Sequence, residues 1–222
     1  MSHINLEKLE RSYNAWYAAV AEKQGNGLVS FHDGIVWKEE GYKYRILEMA
    51  SDILKTFNWS TNNDSKKITE MALSLLWISP TPGMVQNLVD YRDVLYFADQ
   101  AEAKRHKDDI AKALRLLYVE GNDKDAFNLL AHALNKKYAL ISYFFFLKNS
   151  DKYQVVRPNN FAERFPMIGA NGKCAINCSW DNYQEYMGVL TEVRQFLAER
   201  HAEITLTDAH SFVWMLWMLS SN

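Results

Sequence analysis

Long apolar runs are missing from this chain, and their absence excludes a membrane-spanning protein. The most hydrophobic piece, Phe212 to Leu219, is far shorter than the roughly 20 apolar residues that cross a bilayer. The first residues, Met1 to Asn5, lack the basic segment and apolar run that a signal peptide shows. The sequence therefore predicts a cytoplasmic protein with no membrane partner.

Cysteine is also scarce, and this argues against a disulfide scaffold or a zinc site. Cys174 and Cys178 are the two cysteines, whereas small secreted scaffolds carry more. Their spacing is not CxxC, no second pair matches them, and the six histidines are scattered. We predict two ordinary thiols in a reducing compartment, and no metal site.

Signatures of catalysis and cofactor binding are absent as well. The chain has no GxSxG elbow, no GxxxxGK[ST] loop and no GxGxxG turn, so no catalytic residue and no cofactor is predicted. His210 and Ser211 follow Asp208, but neighbouring residues on a helix point in different directions, which argues against a catalytic triad. Asp208 is predicted to stabilise the start of a helix instead.

One acidic and basic set has the residue types of a metal-dependent nuclease. Asp33, Glu40 and Lys43 supply two carboxylates and a lysine, but Glu40 and Lys43 are three apart rather than two and fall in a helical stretch. Charged residues on helices mostly form solvated faces, and this is the prediction for Glu40 and Lys43.

An excess of basic residues, typical of nucleic-acid-binding proteins, is missing too. The chain has 25 Lys and Arg against 27 Asp and Glu, for a net charge of −2. This balance does not favour nucleic-acid binding, although it is compatible with a local basic patch.

What the chain does contain is helical periodicity. Its 222 residues are 48% hydrophobic, which is enough for a sizeable core. Apolar residues recur at spacings of three and four, as in the stripe Leu6, Leu9, Tyr13, Trp16 and Val20. We predict an all-α fold of about eight or nine helices in a single domain over residues 1–222, with subdomain seams near 80 and 149.

Several segments are ambiguous. Leu28 to Trp37 fits a small hairpin or an irregular loop, and Tyr138 to Leu147 fits a strand or a helix buried on all sides. Tyr153 to Val156 fits a short strand. Thr207 and Asp208 are predicted as the N-cap of the last helix.

Two surfaces are candidates for binding. Basic, amide and aromatic side chains together can hold phosphates and stack bases, although a polar loop over an aromatic core explains the same residues. The candidate nucleic-acid surface comprises Lys152, Tyr153, Arg157, Asn159, Asn160, Arg164, Lys173 and Trp180. The candidate surface for a protein partner is formed by Trp214 and Trp217.

Five blocks between residues 40 and 216 carry a family resemblance. They run Glu40-Gly41-Tyr42-Lys43-Tyr44-Arg45-Ile46, Asn87-Leu88-Val89-Asp90-Tyr91-Arg92-Asp93, Tyr143-Phe144-Phe145-Phe146-Leu147-Lys148 through Arg157-Pro158-Asn159-Asn160-Phe161, Cys178-Ser179-Trp180-Asp181-Asn182-Tyr183, and Asp208-Ala209-His210-Ser211-Phe212-Val213-Trp214-Met215-Leu216. With these blocks the chain resembles the helical region that accompanies HNH-type nuclease domains in bacterial restriction-like and phage-defence proteins. The nuclease element itself is not found, so the resemblance implies an accessory region without it.

Three hypotheses follow. The first is a non-catalytic, nucleic-acid-associated module of a bacterial restriction or phage-defence system, with DNA as its partner. The second is a protein-interaction subunit that binds another defence-system or phage protein through an aromatic face. The third is an unrecognised enzyme.

Overall fold

All the regular structure described here is helical. The computed structural model describes residues 3–25, 29–60, 64–80 and 87–219, without the side chains of 104 and 105. Within these ranges the helices are α1 Leu6–Gln24, α2 Gly34–Glu40, α3 Tyr42–Thr56, α4 Ser65–Leu76, α5 Tyr91–Glu102, α6 Lys104–Arg115, α7 Asp123–Ala133, α8 Tyr138–Lys148, α9 Pro158–Arg164, α10 Lys173–Ile176, α11 Trp180–Ala198 and α12 Leu206–Met215. None of them is long and apolar enough to cross a membrane.

The all-α prediction is confirmed, but the predicted number of eight or nine helices is wrong. The described ranges contain twelve α-helices, together with a π-helical turn at Leu116–Glu120 and 3₁₀ turns at Phe165–Ile168 and Leu216–Leu219. The additional helices include α2, of seven residues, and α10, of four. Helices this short complete two turns or fewer, so they leave no repeating apolar stripe in the sequence.

Of the two alternatives for Leu28 to Trp37, the small hairpin is not found among the described residues. Residues 29–33 form no strand, and Gly34–Glu40 is helical. The side chain of Asp33 accepts a hydrogen bond from the Gly34 backbone N–H at 2.6 Å, which caps α2. Leu28, the first residue of that segment, lies outside the described residues. Tyr153 to Val156 is likewise not a strand.

Helix α8 lies at the centre of the fold. Every residue from Tyr138 to Leu147 is buried, so the segment is apolar on all its sides. A helix buried all round has no polar face, and its sequence therefore cannot be distinguished from that of a buried strand by period alone. The structure resolves the ambiguity in favour of the helix.

The first and last helices pack together. Trp16 of α1 stacks on Phe31 and meets the ring of Phe212 of α12 edge-on, at 5.1 Å between centroids. The start of α1 is fixed by the backbone N–H of Asn5, which donates to the Ile168 carbonyl at 3.2 Å. Gly169 has a left-handed φ of 73° and would drive a Cβ into Asn5, so only glycine allows this close approach.

Helix α12 begins two residues earlier than predicted. Its N-cap is Thr205, whose hydroxyl accepts from the Asp208 backbone N–H at 3.1 Å, while the Asp208 carboxylate accepts from the Thr205 N–H at 2.9 Å. This reciprocal capping box fixes the helix start. The predicted N-cap at Thr207 and Asp208 is wrong, but the predicted role of Asp208 in stabilising the helix start is confirmed.

Candidate functional site

Charged side chains are buried where α2 and α3 meet α12. Glu40 ends α2, Lys43 lies in the first turn of α3, and His210 and Ser211 lie on α12. The four residues are between 1% and 6% exposed, which is rare for charged groups unless they are paired. We call Glu40, Lys43, His210 and Ser211 the buried network.

Lys43 is the centre of the buried network. Its Nζ lies 2.5 Å from Glu40 Oε2, 2.8 Å from His210 Nδ1 and 3.0 Å from Ser211 Oγ. Glu40 and Lys43 therefore form an ion pair. Burial lowers the pKa of Lys43 and raises that of Glu40, while their mutual attraction opposes both shifts.

The contacts of His210 fix it as a neutral imidazole with one defined tautomer. An ammonium group can only donate, so His210 Nδ1 accepts from Lys43. Nε2–H then donates to the Val155 carbonyl at 2.9 Å. Burial lowers the pKa of His210 well below its usual value, and the charge of Lys43 lowers it further.

Asp208 heads a second set of bonds beside the buried network. Its carboxylate accepts from the Tyr44 hydroxyl at 2.7 Å and from the Thr205 hydroxyl at 2.8 Å, and His32 Nε2 lies 3.3 Å away. These bonds tie α3 and the residues before α2 to the start of α12. Neither His210 nor Ser211 is bonded to Asp208, in agreement with the prediction that these residues are not a triad.

The polar groups of the buried network form their hydrogen bonds and ion pair with one another and with nearby backbone carbonyls. Ser211 Oγ donates to the Thr207 carbonyl at 2.8 Å and is thereby turned along its own helix. The predicted solvated face for Glu40 and Lys43 is wrong, because α12 covers both residues. Since each member is engaged and buried, the arrangement fits a clamp between helices better than a reaction centre.

A small cleft adjoins the buried network on the side of Lys43 and His210. We define its rim as Tyr42, Asn87, Arg157 and Trp214; Leu88 also lines it. About 10 Å³ of the cleft is open to the centre of a water molecule, which is room for roughly one enclosed water. The cleft therefore has no room for a ring-sized substrate.

The rim carries hydrogen-bond donors that are not in use. The Arg157 guanidinium, the Tyr42 hydroxyl, the Asn87 amide and the Trp214 indole N–H make no hydrogen bond with any residue that the structure describes. Arg157 is half-buried and Asn87 is exposed. None of these donors is among the buried atoms without a partner, so they are open to solvent, and their concentration on one rim makes the cleft a candidate binding site.

Four of the eight residues of the candidate nucleic-acid surface are bonded to or packed against other residues of the fold. Tyr153 is 1% exposed and donates to Asp123 Oδ2, and Lys152 forms an ion pair with the same carboxylate at 3.0 Å. Arg164 is 9% exposed and donates to the Trp214 and Asn160 carbonyls. Trp180 is half-buried and packs against aromatic residues, namely Phe127, Phe145, Tyr153 and Tyr183.

The side chains of the other four residues form no hydrogen bond or ion pair within the described ranges. Arg157 precedes α9, and Asn159 is exposed in its first turn, next to the half-buried Asn160. Lys173 opens α10, is exposed, and forms no ion pair within the described ranges. Helices α9 and α10 pack against each other, so the four residues belong to one compact segment.

In the part of the chain that the structure describes, exposed aromatic side chains occur at two places. Trp217 is 38% exposed with Lys23 Nζ 5.6 Å above its ring, whereas Trp214 is half-buried. Sequence reasoning missed a larger exposed pair, Trp77 and Tyr91, which are 50% and 52% exposed with ring centroids 5.7 Å apart. A tryptophan and a tyrosine that flank a proline-rich break were the available signal.

The cysteines are free thiols. Burial raises the pKa of both Cys174 and Cys178 to about 12, so both remain protonated at neutral pH. Among the described residues, no three His, Cys, Asp or Glu side chains are grouped as a metal ion would need.

No family model matches this chain, and no curated protein or solved structure matches it either. The resemblance to the accessory region of HNH-type proteins stays a prediction.

Proposed function

We propose that this chain binds nucleic acid without cutting it, as an accessory module of a bacterial restriction or phage-defence system. The observation that carries the proposal is Arg157, a half-buried arginine with a free guanidinium on the rim of the cleft. It lies in one of the blocks that carry the family resemblance. Arginine is the side chain best matched to phosphate oxygens.

The neighbours of Arg157 support the same function. Asn159 and Asn160 supply amides, and Lys173 adds a second cation without a described partner. Such groups are typical of contacts to the phosphate backbone. Arg157 and Lys173 together can neutralise about two phosphates. We therefore expect weak, salt-sensitive binding rather than tight recognition.

The absence of catalysis is part of the proposal. The residues that come nearest to a catalytic set, Lys43, His210 and Ser211, are bonded to one another and buried. Both ring nitrogens of His210 are already in use, towards Lys43 and the Val155 carbonyl, which leaves neither of them to activate a nucleophile.

Fluorescence anisotropy with labelled duplex DNA of arbitrary sequence tests the function. We expect binding at low salt, with a slope of log K against log salt of about −2, because each phosphate contributes roughly −0.9. No binding at low salt would contradict the proposal. Lys112→Gln, which removes an exposed lysine on α6, is the control and should leave the affinity unchanged.

A second candidate function is the binding of another defence-system or phage protein through an aromatic face. The exposed pair Trp77 and Tyr91, with Leu95 42% exposed one turn further along α5, favours this function. Capture of proteins encoded beside this gene should be lost in Trp77→Ser with Tyr91→Ser and retained in Trp217→Ser. A wild-type chain that captures none of them would exclude this candidate.

A further inference from the structure

The rim of the cleft differs from the rest of the surface in the kind of groups that it brings together. Arg157, Tyr42, Asn87 and Trp214 each offer a hydrogen-bond donor, and none of these donors is used within the described ranges. A half-buried arginine without a partner among the described residues is not enough by itself, since Arg194 on α11 is another. What distinguishes Arg157 is that three further residues with unused donors line the same cleft.

The charges near the cleft leave it positive. Lys43, in its wall, is neutralised by Glu40 at 2.5 Å. Asp90 also lies within electrostatic range of Arg157, but its carboxylate already accepts from the Arg92 side chain at 3.0 and 3.1 Å. Those bonds, together with the nearby charge of Arg157, lower the pKa of Asp90 to about 2. Arg157 is therefore the free charge at the rim.

Tyr42 remains a donor at any physiological pH. Burial raises the pKa of its hydroxyl well above 10, so the group keeps its proton. A neutral hydroxyl beside a guanidinium can donate to the same anion, and the Asn87 amide can donate from the exposed side. The ligand that matches several donors and one positive charge is an oxyanion.

The size of the cleft limits which part of a ligand can enter. There is room for roughly one enclosed water, so a nucleobase or a sugar cannot enter, whereas one or two oxygens of a group held at the rim can. A phosphate presents oxygens in this way, and the arginine fork takes two of them side by side.

We propose that the cleft formed by Tyr42, Asn87, Arg157 and Trp214 binds a single phosphate group of a nucleic acid, with two of its oxygens on the Arg157 guanidinium. This inference rests on the proposed function for the source of the phosphate. It predicts that contact here is independent of base sequence, because only the phosphate reaches the cleft. The phosphate can belong to the backbone or to a strand end.

Arginine-selective NMR with inorganic phosphate tests the site without any nucleic acid. We expect the Arg157 Nε–H resonance to shift on titration with phosphate but not with chloride at equal ionic strength, and the Arg194 resonance to stay in place. An equal shift with acetate would show a general oxyanion site and contradict the choice of phosphate. No shift at Arg157 would overturn the proposal.

Short single strands with and without a 5′-phosphate distinguish the two sources. Arg157→Gln should weaken binding about tenfold, because a hydrogen-bonded charge contact contributes about 1.5 kcal/mol. Arg194→Gln should leave it unchanged. If a strand end is the ligand, removal of the 5′-phosphate should reproduce the loss, and if the backbone is the ligand, it should not.

The outcomes separate this inference from the proposed function. Binding of nucleic acid that Arg157→Gln leaves intact overturns the phosphate site alone. A shift of Arg157 with inorganic phosphate, without binding of any nucleic acid, supports an anion site and overturns the proposed function.

Discussion

The buried network and the cleft beside it share Lys43 and His210, but they differ in whether their polar groups have hydrogen-bond or ion-pair partners. In the buried network, Lys43 Nζ is surrounded by three partners within 3.0 Å. On the rim of the cleft, Arg157 has no hydrogen-bond or ion-pair partner among the described residues. Polar groups that satisfy one another hold helices together, whereas polar groups left free can bind a ligand.

The largest expected effect comes from breaking the buried network. Lys43→Met leaves Glu40 as an unpaired buried charge and removes the donor to His210, so we expect a loss of roughly 3–5 kcal/mol in the free energy of unfolding. Urea denaturation measures it. The control is Lys66→Met, which breaks an exposed pair with Glu70 at 3.8 Å and should change stability by less than about 0.5 kcal/mol. Equal losses in the two variants would show that the buried ion pair contributes no more to stability than the exposed one.

Two tyrosines on the first turn of α3 provide a sharper test. Tyr44→Phe removes a hydrogen bond to the Asp208 carboxylate and one to Thr205, so we expect a loss of about 1.5–3 kcal/mol. Tyr42→Phe removes a hydroxyl with no described partner and should cost less than about 0.5 kcal/mol. If Tyr42→Phe is as destabilising as Tyr44→Phe, the Tyr42 hydroxyl is not free and the cleft is not an open site.

The pH dependence of stability should report His210. Its folded pKa lies below the unfolded value of 6.5, because burial and Lys43 disfavour the charged ring. The unfolded state therefore binds the proton more readily, and stability that is complete above pH 6.5 is lost as the pH falls towards 5, by up to about 1.4 kcal/mol per unit. His201, whose pKa is also lowered by burial, acts in the same direction.

Denaturation of His210→Gln at several pH values isolates this contribution. The variant has no titrating ring, so its stability should fall less steeply between pH 6.5 and 5. The charged groups around the ring are Lys43, 2.8 Å from His210 Nδ1, its ion-pair partner Glu40, and Arg157, which lines the same cleft. A slope equal to that of the wild type would place the titration elsewhere.

The smallest expected effect on stability is that of Arg157→Gln. No described hydrogen bond or ion pair is lost, so the free energy of unfolding should stay within about 0.5 kcal/mol of the wild type. Arg164→Gln, which removes bonds to the Trp214 and Asn160 carbonyls, should destabilise measurably more. Matching losses for the two arginines would mean that Arg157 is a structural residue.

The sequence was informative where one face of a helix is buried. In α1, Leu9, Tyr13, Trp16 and Val20 are all buried, as their spacing predicts. Leu6 belongs to the same stripe but is 64% exposed, because it lies in the first turn of the helix, where less of the fold covers it. Periodicity identifies which face of a helix is buried, but it does not show at which residue the burial of that face begins or ends.

The site could not be predicted in the same way. The sequence predicted a solvated pair for Glu40 and Lys43, because their partners His210 and Ser211 are more than 160 residues away in the chain. Nothing local indicates that α12 covers them. Arg157 was identified as a candidate from its neighbours, but the rim that it shares with Tyr42 and Asn87 depends on how distant helices pack.

Thermal unfolding in inorganic phosphate tests the central claim, that free donors make the cleft a phosphate site, most directly. A ligand that binds the folded state raises its stability in proportion to RT ln(1 + [L]/Kd). We predict that phosphate, compared with chloride of equal ionic strength, raises the Tm of the wild type and of Arg194→Gln more than that of Arg157→Gln, in which only the general stabilisation by an excluded anion remains. A rise of the same size in Arg157→Gln would contradict the account.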